Sequence, residues 1–172
     1  MVITKTLLQA EAQRDYALDK VVASVNNSLS ENNDTAMFAT TFCGLLDLTT
    51  GDLQIVNAGH NPPIIGNSVD GYNYMKVDQN IALGIFNNFE FKINHSKIKP
   101  GDQILLYTDG ITEAFNPDEE LFSEERLLDI MSKSKKSTSQ QLVTNIRKEI
   151  KKFTKDAEQS DDITILAVTF NG

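Results

Sequence analysis

The chain has almost no cysteine. Cys43 is the only one in 172 residues, so an internal disulfide is excluded, and its place inside an apolar run marks it as a core thiol. Positive charge is also short: 16 Lys and Arg stand against 24 Asp and Glu, a formal net charge of −8. That balance argues against nucleic acid or an anionic membrane as the main partner. No apolar run reaches the length of a transmembrane helix, and no compact apolar core follows a basic start at the N-terminus. The expected compartment is the cytoplasm, with no insertion into a membrane. Nucleophile motifs are missing too: there is no Gly-x-Ser-x-Gly, no phosphate-cradling glycine loop and no dinucleotide fingerprint. His60 has no Cys or second His at ligand spacing, and a single histidine in a turn is more often structural.

What remains is the composition of one globular domain, 40% hydrophobic and 23% charged, long enough to bury a core. The periodicity predicts one amphipathic helix over residues 3–29, striped by Ile3, Leu7, Leu18, Val21, Val22, Val25 and Leu29. A polar loop at 30–36 follows, then a strand over Met37–Leu46, a hairpin turn at Thr49–Asp52 and a strand over Leu53–Ala58. The first of these strands is apolar on both faces and so is expected to be covered on both. Gly59–Pro63 reads as a rigid loop, with short strands at Pro63–Ile65 and Tyr72–Val77 and an apolar loop at Ile81–Ile85. Phe89–Ile98 alternates like a strand, and Lys99–Asp102 is a turn into a strand at Gln103–Thr108. Helices are predicted over Ser123–Lys133 and Ser139–Phe153, with Ser139 as N-cap, before a doubly apolar strand over Ile163–Phe170. Lys148, Lys151, Lys152 and Lys155 cluster near the end of the second helix, where they complement its dipole rather than mark an anion site.

Two acidic positions stand out against this background. The segment Gly101–Phe115 (GDQILLYTDGITEAF) delivers Asp109 at the end of an apolar strand, with Gly110 placed to turn the backbone at positive φ. The segment Gln159–Val168 (QSDDITILAV) puts Asp161 and Asp162 ahead of another apolar strand. Taken singly, Asp-Gly is a favoured turn sequence and paired acids are ordinarily a solvated loop. Together, two carboxylates held by rigid strands are the way a fold builds an oxygen site for a hard divalent cation.

The ordered set MFATTFCGLLDLTTGDLQIVNAGHNPP, IALGI, GDQILLYTDGITEAFN, LFSEERL and QSDDITILAV resembles the metal-dependent serine/threonine protein phosphatases. Within them it is similar to the bacterial branch of stage II sporulation protein E and the sigma-factor-regulating phosphatases. The resemblance implies an α+β fold, an αββα sandwich of two mostly antiparallel sheets flanked by helices. It implies two Mn2+ or Mg2+ ions that activate a water against phosphoserine or phosphothreonine, with no phosphoenzyme. Carried over residue by residue, it makes Asp109 and Asp161 metal ligands, Gly110 the supporting turn residue and Asp162 an outer neighbour. No catalytic role falls on His60. The implied partner is a phosphorylated regulatory protein, by analogy an anti-sigma-factor antagonist.

One departure qualifies the resemblance. The family carries a Gly-Asp-x-x-Gly motif ahead of the first helix, whose aspartate bridges both metals, and nothing in this sequence corresponds to it. Residues 1–172 are therefore expected to be the C-terminal portion of such a domain, with an incomplete sandwich that self-associates. Three expectations compete: a phosphatase, a non-catalytic pseudophosphatase or truncated module that binds a protein partner, and an acid-rimmed sandwich with no site.

Overall fold

The computed structural model describes residues 2–31, 33–135 and 137–172. Met1, Asn32 of the expected polar loop, and Lys136 lie outside them. In chain order the elements begin with α1 (Val2–Ala12), α2 (Leu18–Ser30), β1 (Thr41–Leu46) and β2 (Asp52–Ala58). They continue with β3 (Ile64–Asn67), β4 (Gly71–Tyr74), β5 (Gln79–Asn80), β6 (Asn94–Lys97) and β7 (Gln103–Tyr107). The chain closes with α3 (Asp109–Thr112), α4 (Ser123–Lys133), α5 (Ser139–Thr154) and β8 (Ile165–Thr169). The class is α+β, with two four-stranded, mostly antiparallel sheets. Two compact units divide it: the chain up to His60 with Val77–Ile98, and Asn61–Lys76 with Lys99–Gly172.

In the first unit β2 is the central strand, pairing antiparallel with β1 and β6 and parallel with β5. Val22 and Val25 of α2 are fully buried in a cluster with Val56, Ala58, Leu83 and Phe91. The single long helix expected over 3–29 is two helices. Its apolar stripe lapses between Leu8 and Leu18, and there Asp15 takes a positive φ of 54°, a conformation that aspartate tolerates better than most residues. The strand covered on both faces is β2, not β1. Leu53, Ile55, Val56 and Ala58 are buried, whereas Leu45 of β1 is 56% exposed and Phe38, short of the strand, 66%. As the sheet edge, β1 has a neighbour on one side only. Burial of its surroundings pushes the Cys43 thiol up to about 11.

Phe89–Ile98 is a strand only over its last part, β6. Asn80 supplies the reason: its side chain accepts from Lys92 N–H at 2.8 Å and donates to the Lys92 carbonyl at 3.3 Å, in place of a ladder partner. The expected hairpin turn forms, with the Asp47 carboxylate accepting from the N–H groups of Thr49 and Thr50 at 2.8 and 2.9 Å. A second asparagine holds the apolar loop 81–85 against α2. Fully buried Asn26 donates to the Phe86 carbonyl at 2.8 Å and accepts from Gly84 N–H at 2.9 Å.

The second unit is built on a sheet in the order β4-β3-β7-β8, antiparallel throughout. Helices α4 and α5 bury Leu127, Met131, Leu142, Ile146 and Ile150 in one cluster with Ile64, Leu105 and Tyr107 of the strands. The N-cap of α5 is Thr138, one residue before the expected Ser139. Thr138 and Gln141 form a reciprocal capping box, while the Ser139 hydroxyl lies 2.7 Å from that of Thr169. The Lys99–Asp102 turn is locked by the buried Asp102 carboxylate, which accepts from Lys99 N–H at 2.7 Å and Asn67 Nδ2 at 2.6 Å. β8 is not covered on both faces: Ile165 and Ala167 pack into the core cluster, but Leu166 and Val168 are 53% and 40% exposed on an edge strand. Among the described residues no helix is long and apolar enough to cross a membrane.

Asn26→Ala removes both halves of a buried amide pairing and strands Gly84 N–H and the Phe86 carbonyl. The expected cost is about 2–3 kcal/mol in a urea titration; a loss near zero would show that solvent replaces those bonds.

Candidate metal site at the end of strand β7

Antiparallel pairing puts the end of one strand beside the start of the next. β7 and β8 pair from Gln103↔Thr169 to Tyr107↔Ile165, so the chain leaving β7 and the chain entering β8 meet at one sheet end. Thr108 continues the contact, donating its N–H to the Thr164 carbonyl at 3.2 Å. Its hydroxyl does more: it accepts from Thr164 N–H at 2.9 Å and donates to the Asp162 carbonyl at 2.7 Å. One side chain thus clasps the Asp109 segment to the Asp161–Asp162 segment.

Gly110 does not turn the backbone at positive φ as expected. It lies within the single helical turn α3, closed by Glu113 N–H donating to the Asp109 carbonyl at 2.8 Å. Its glycine identity answers to a different constraint. A Cβ on Gly110 would sit 2.7 Å from the Asp162 carbonyl oxygen and 3.0 Å from that of Asp161. The two acid-bearing segments approach so closely that only a hydrogen fits between them.

Asp109, Asp161 and Asp162 are exposed, while Gly110 beneath them is buried. One carboxylate oxygen of Asp109 accepts from Gly110 N–H at 3.0 Å, and one of Asp161 accepts from Asp162 N–H at 2.6 Å. The Asp161 carbonyl accepts from Gln159 Nε2 at 2.8 Å, which fixes the loop ahead of it. The backbone segments that carry Asp109 and Gly110, and Asp161 and Asp162, are therefore brought together at one sheet end. Thr108 does not stand out in the sequence; its one signal is a hydroxyl residue at the end of a strand, immediately before a carboxylate. His60 belongs to the first unit, where its N–H donates to Asn57 Oδ1 and its carbonyl accepts from Asn57 Nδ2, both at 2.9 Å.

The donor chemistry here is hard oxygen only, which fits Mg2+ or Mn2+ rather than a thiolate- or imidazole-seeking metal. Two carboxylates alone would leave most of such an ion's coordination to other ligands. Among the described residues no group of three or more His, Cys, Asp or Glu is placed to hold a metal ion.

The α+β fold is that of known PP2C phosphatase domains. The structure of the PP2C phosphatase domain of the cell fate determinant SpoIIE from Bacillus subtilis, with a fragment of its regulatory domain, superposes with a TM-score of 0.81 at 21% identity, covering 96% of this chain and 49% of that one. The SiaA PP2C domain of Pseudomonas aeruginosa gives 0.80 at 16% identity, covering 98% and 68%. Residues 1–171 match the family described as stage II sporulation protein E (SpoIIE), and the chain belongs to that family. Among curated relatives, Protein IcfG of Synechocystis sp. is 37% identical over 142 residues, 83% of this chain and 22% of that protein. The phosphoserine phosphatase RsbU of Bacillus subtilis is 25% identical over 149 residues, 87% of this chain and 44% of that protein. The chain thus spans less than half the length of either.

Gly110→Ala tests the close approach. Alanine in a helical turn would ordinarily gain about 1 kcal/mol over glycine, but the clash with two carbonyls costs about 1–3. We expect the melting temperature to fall by a few degrees, read by circular dichroism; a rise would mean that the Asp161–Asp162 segment yields freely.

Proposed function

We propose that this chain forms part of a metal-dependent phosphatase domain that hydrolyses phosphoserine or phosphothreonine on a regulatory protein in the cytoplasm. The observation that supports it most is the meeting of Asp109 and Asp161 at one sheet end, in a chain of the SpoIIE family. In this reading Asp109 and Asp161 are ligands of Mn2+ or Mg2+. Such ions, when bound, supply a water of lowered pKa and screen the charge of the phosphate. The rest falls to the chain. Thr108 holds the two ligand segments in register through its bonds to Thr164 and Asp162. Gly110 lets them touch, and Asp162 adds negative charge beside the ligands without a place of its own on the metal. No residue here is asked to act as a nucleophile, in keeping with direct attack by water. By family analogy the partner in this reading is a phosphorylated antagonist of an anti-sigma factor; the similarity to RsbU, a phosphoserine phosphatase, supports phosphoserine as the group removed.

The test is Mn2+-dependent hydrolysis of an aryl phosphate by the phosphatase domain of which this chain forms part, together with the rise in melting temperature on adding Mn2+. Asp109→Asn and Asp161→Asn should each abolish the thermal shift and lower turnover by more than about 100-fold. Wild-type turnover in both variants would overturn the ligand assignment. A second reading, a protein-binding module without turnover, draws on the finding that no three or more His, Cys, Asp or Glu among the described residues are grouped to hold a metal ion. It predicts weak Mn2+ binding by calorimetry and no hydrolysis; tight binding of two ions would defeat it.

A further inference from the structure

A groove in the second unit runs along α5 to the loop that carries Asp161. Its volume is about 670 Å3, within the range of sites that hold ligands. Phe115, Ile150 and Ile163 give it an apolar lining, and Arg147, Lys148 and Lys151 line it with positive charge. Glu158 is the only carboxylate among its lining residues. Gln159, at the far end, is the residue whose amide holds the Asp161 carbonyl.

The sequence accounts for the basic cluster by the helix dipole, and for Lys151 and Lys152, in the last turn of α5, that stands. It does not account for how the cations are sorted. On the other side of α5 a second cleft is lined by Lys152, Arg126 and Lys133, each of which has an acid: Glu149 at 3.8 Å, Glu120 at 3.9 Å and Asp129; Lys155, beyond the helix end, is its one cation with no ion pair among the described residues. Among the described residues, no ion pair involves Arg147, Lys148 or Lys151. Arg147 and Lys151 are also spaced i,i+4, a like-charge placement that destabilises an isolated helix by a few tenths of a kcal/mol. In a chain of net charge −8, three unneutralised cations beside one apolar groove are a local reversal of sign.

We propose that this groove docks an acidic, apolar-anchored segment of the phosphoprotein substrate, so that Arg147, Lys148 and Lys151 select the partner. This rests on the phosphatase reading above and extends it to substrate recognition. The three cations are exposed side chains, not convergent buried donors, which suits an extended acidic chain lying along the helix better than a small enclosed anion. Docking would relieve the repulsion within α5, and the apolar lining would take one or two side chains of the segment.

Fluorescence anisotropy decides it, with a short labelled peptide of alternating Glu and Leu and its Gln-for-Glu counterpart as probes. The wild-type protein should prefer the acidic peptide, and the preference should weaken with added salt. The triple variant R147Q/K148Q/K151Q should bind it about tenfold more weakly. The double variant K152Q/K155Q, on the opposite cleft, should stay within about twofold of the wild type. Equal losses in the two variants, or no preference of the wild type for Glu over Gln, would overturn the proposal. Peptide affinity is measured without metal or turnover, so the phosphatase reading fails separately, on absent Mn2+-dependent hydrolysis of the aryl phosphate.

Discussion

The antiparallel pairing of β7 with β8 is the interaction on which the site depends. The two strands lie far apart in the chain, Gln103–Tyr107 and Ile165–Thr169, and α4 and α5 occupy the sequence between them. A loop of that length costs little more in closure entropy than one half as long, because the cost grows only logarithmically. The return is a fixed register. Every residue of β7 has an assigned partner in β8, and the segments beyond the last pair are aligned before any ligand arrives. The helices contribute by packing on the inner face: Ile165 and Ala167 enter the same cluster as Leu142 and Ile146. Hydrophobic burial on one face of the sheet therefore sets the geometry of exposed carboxylates at its end.

At that end the decisive contacts are small. A threonine hydroxyl satisfies one N–H and one carbonyl of the opposing loop, and a glycine without a side chain allows the two backbones to approach. Neither residue carries charge or touches solvent-borne chemistry directly. They act by fixing where the backbones that carry Asp109 and Asp161 stand, which is what the proposed site requires of its surroundings.

Much of this was legible in the sequence, for reasons that can be stated. The α4 helix occupies the expected Ser123–Lys133, because its stripe is strongly periodic and bounded by polar residues. The Asp47 turn announces itself by turn-forming residues between two apolar runs. The acids at 109 and 161 were visible because each adjoins an apolar strand. What failed was whatever depended on neighbours distant in sequence. Edge and centre look alike in composition, so β1 and β8 read as covered on both faces, whereas Leu45, Leu166 and Val168 are exposed on strands at the sheet edges. Asn80 replaces a strand partner and Asn26 ties a helix to a loop, yet an isolated asparagine looks like surface. Gly110 reads in the sequence as a positive-φ turn, whereas its actual constraint, crowding by the carbonyls of Asp161 and Asp162, is invisible until the loops meet.

The edge position of β8 bears on how tightly anything can bind beside it. A terminal strand held by one neighbour is the part of a sheet that frays most readily, and Asp161 and Asp162 stand at its leading end. Any ligand that bridges Asp109 and Asp161 binds only molecules in which this strand is seated. Its apparent affinity is its intrinsic affinity scaled by the seated fraction. Occupancy of the site and the breathing of the last strand are then one equilibrium, seen from two ends.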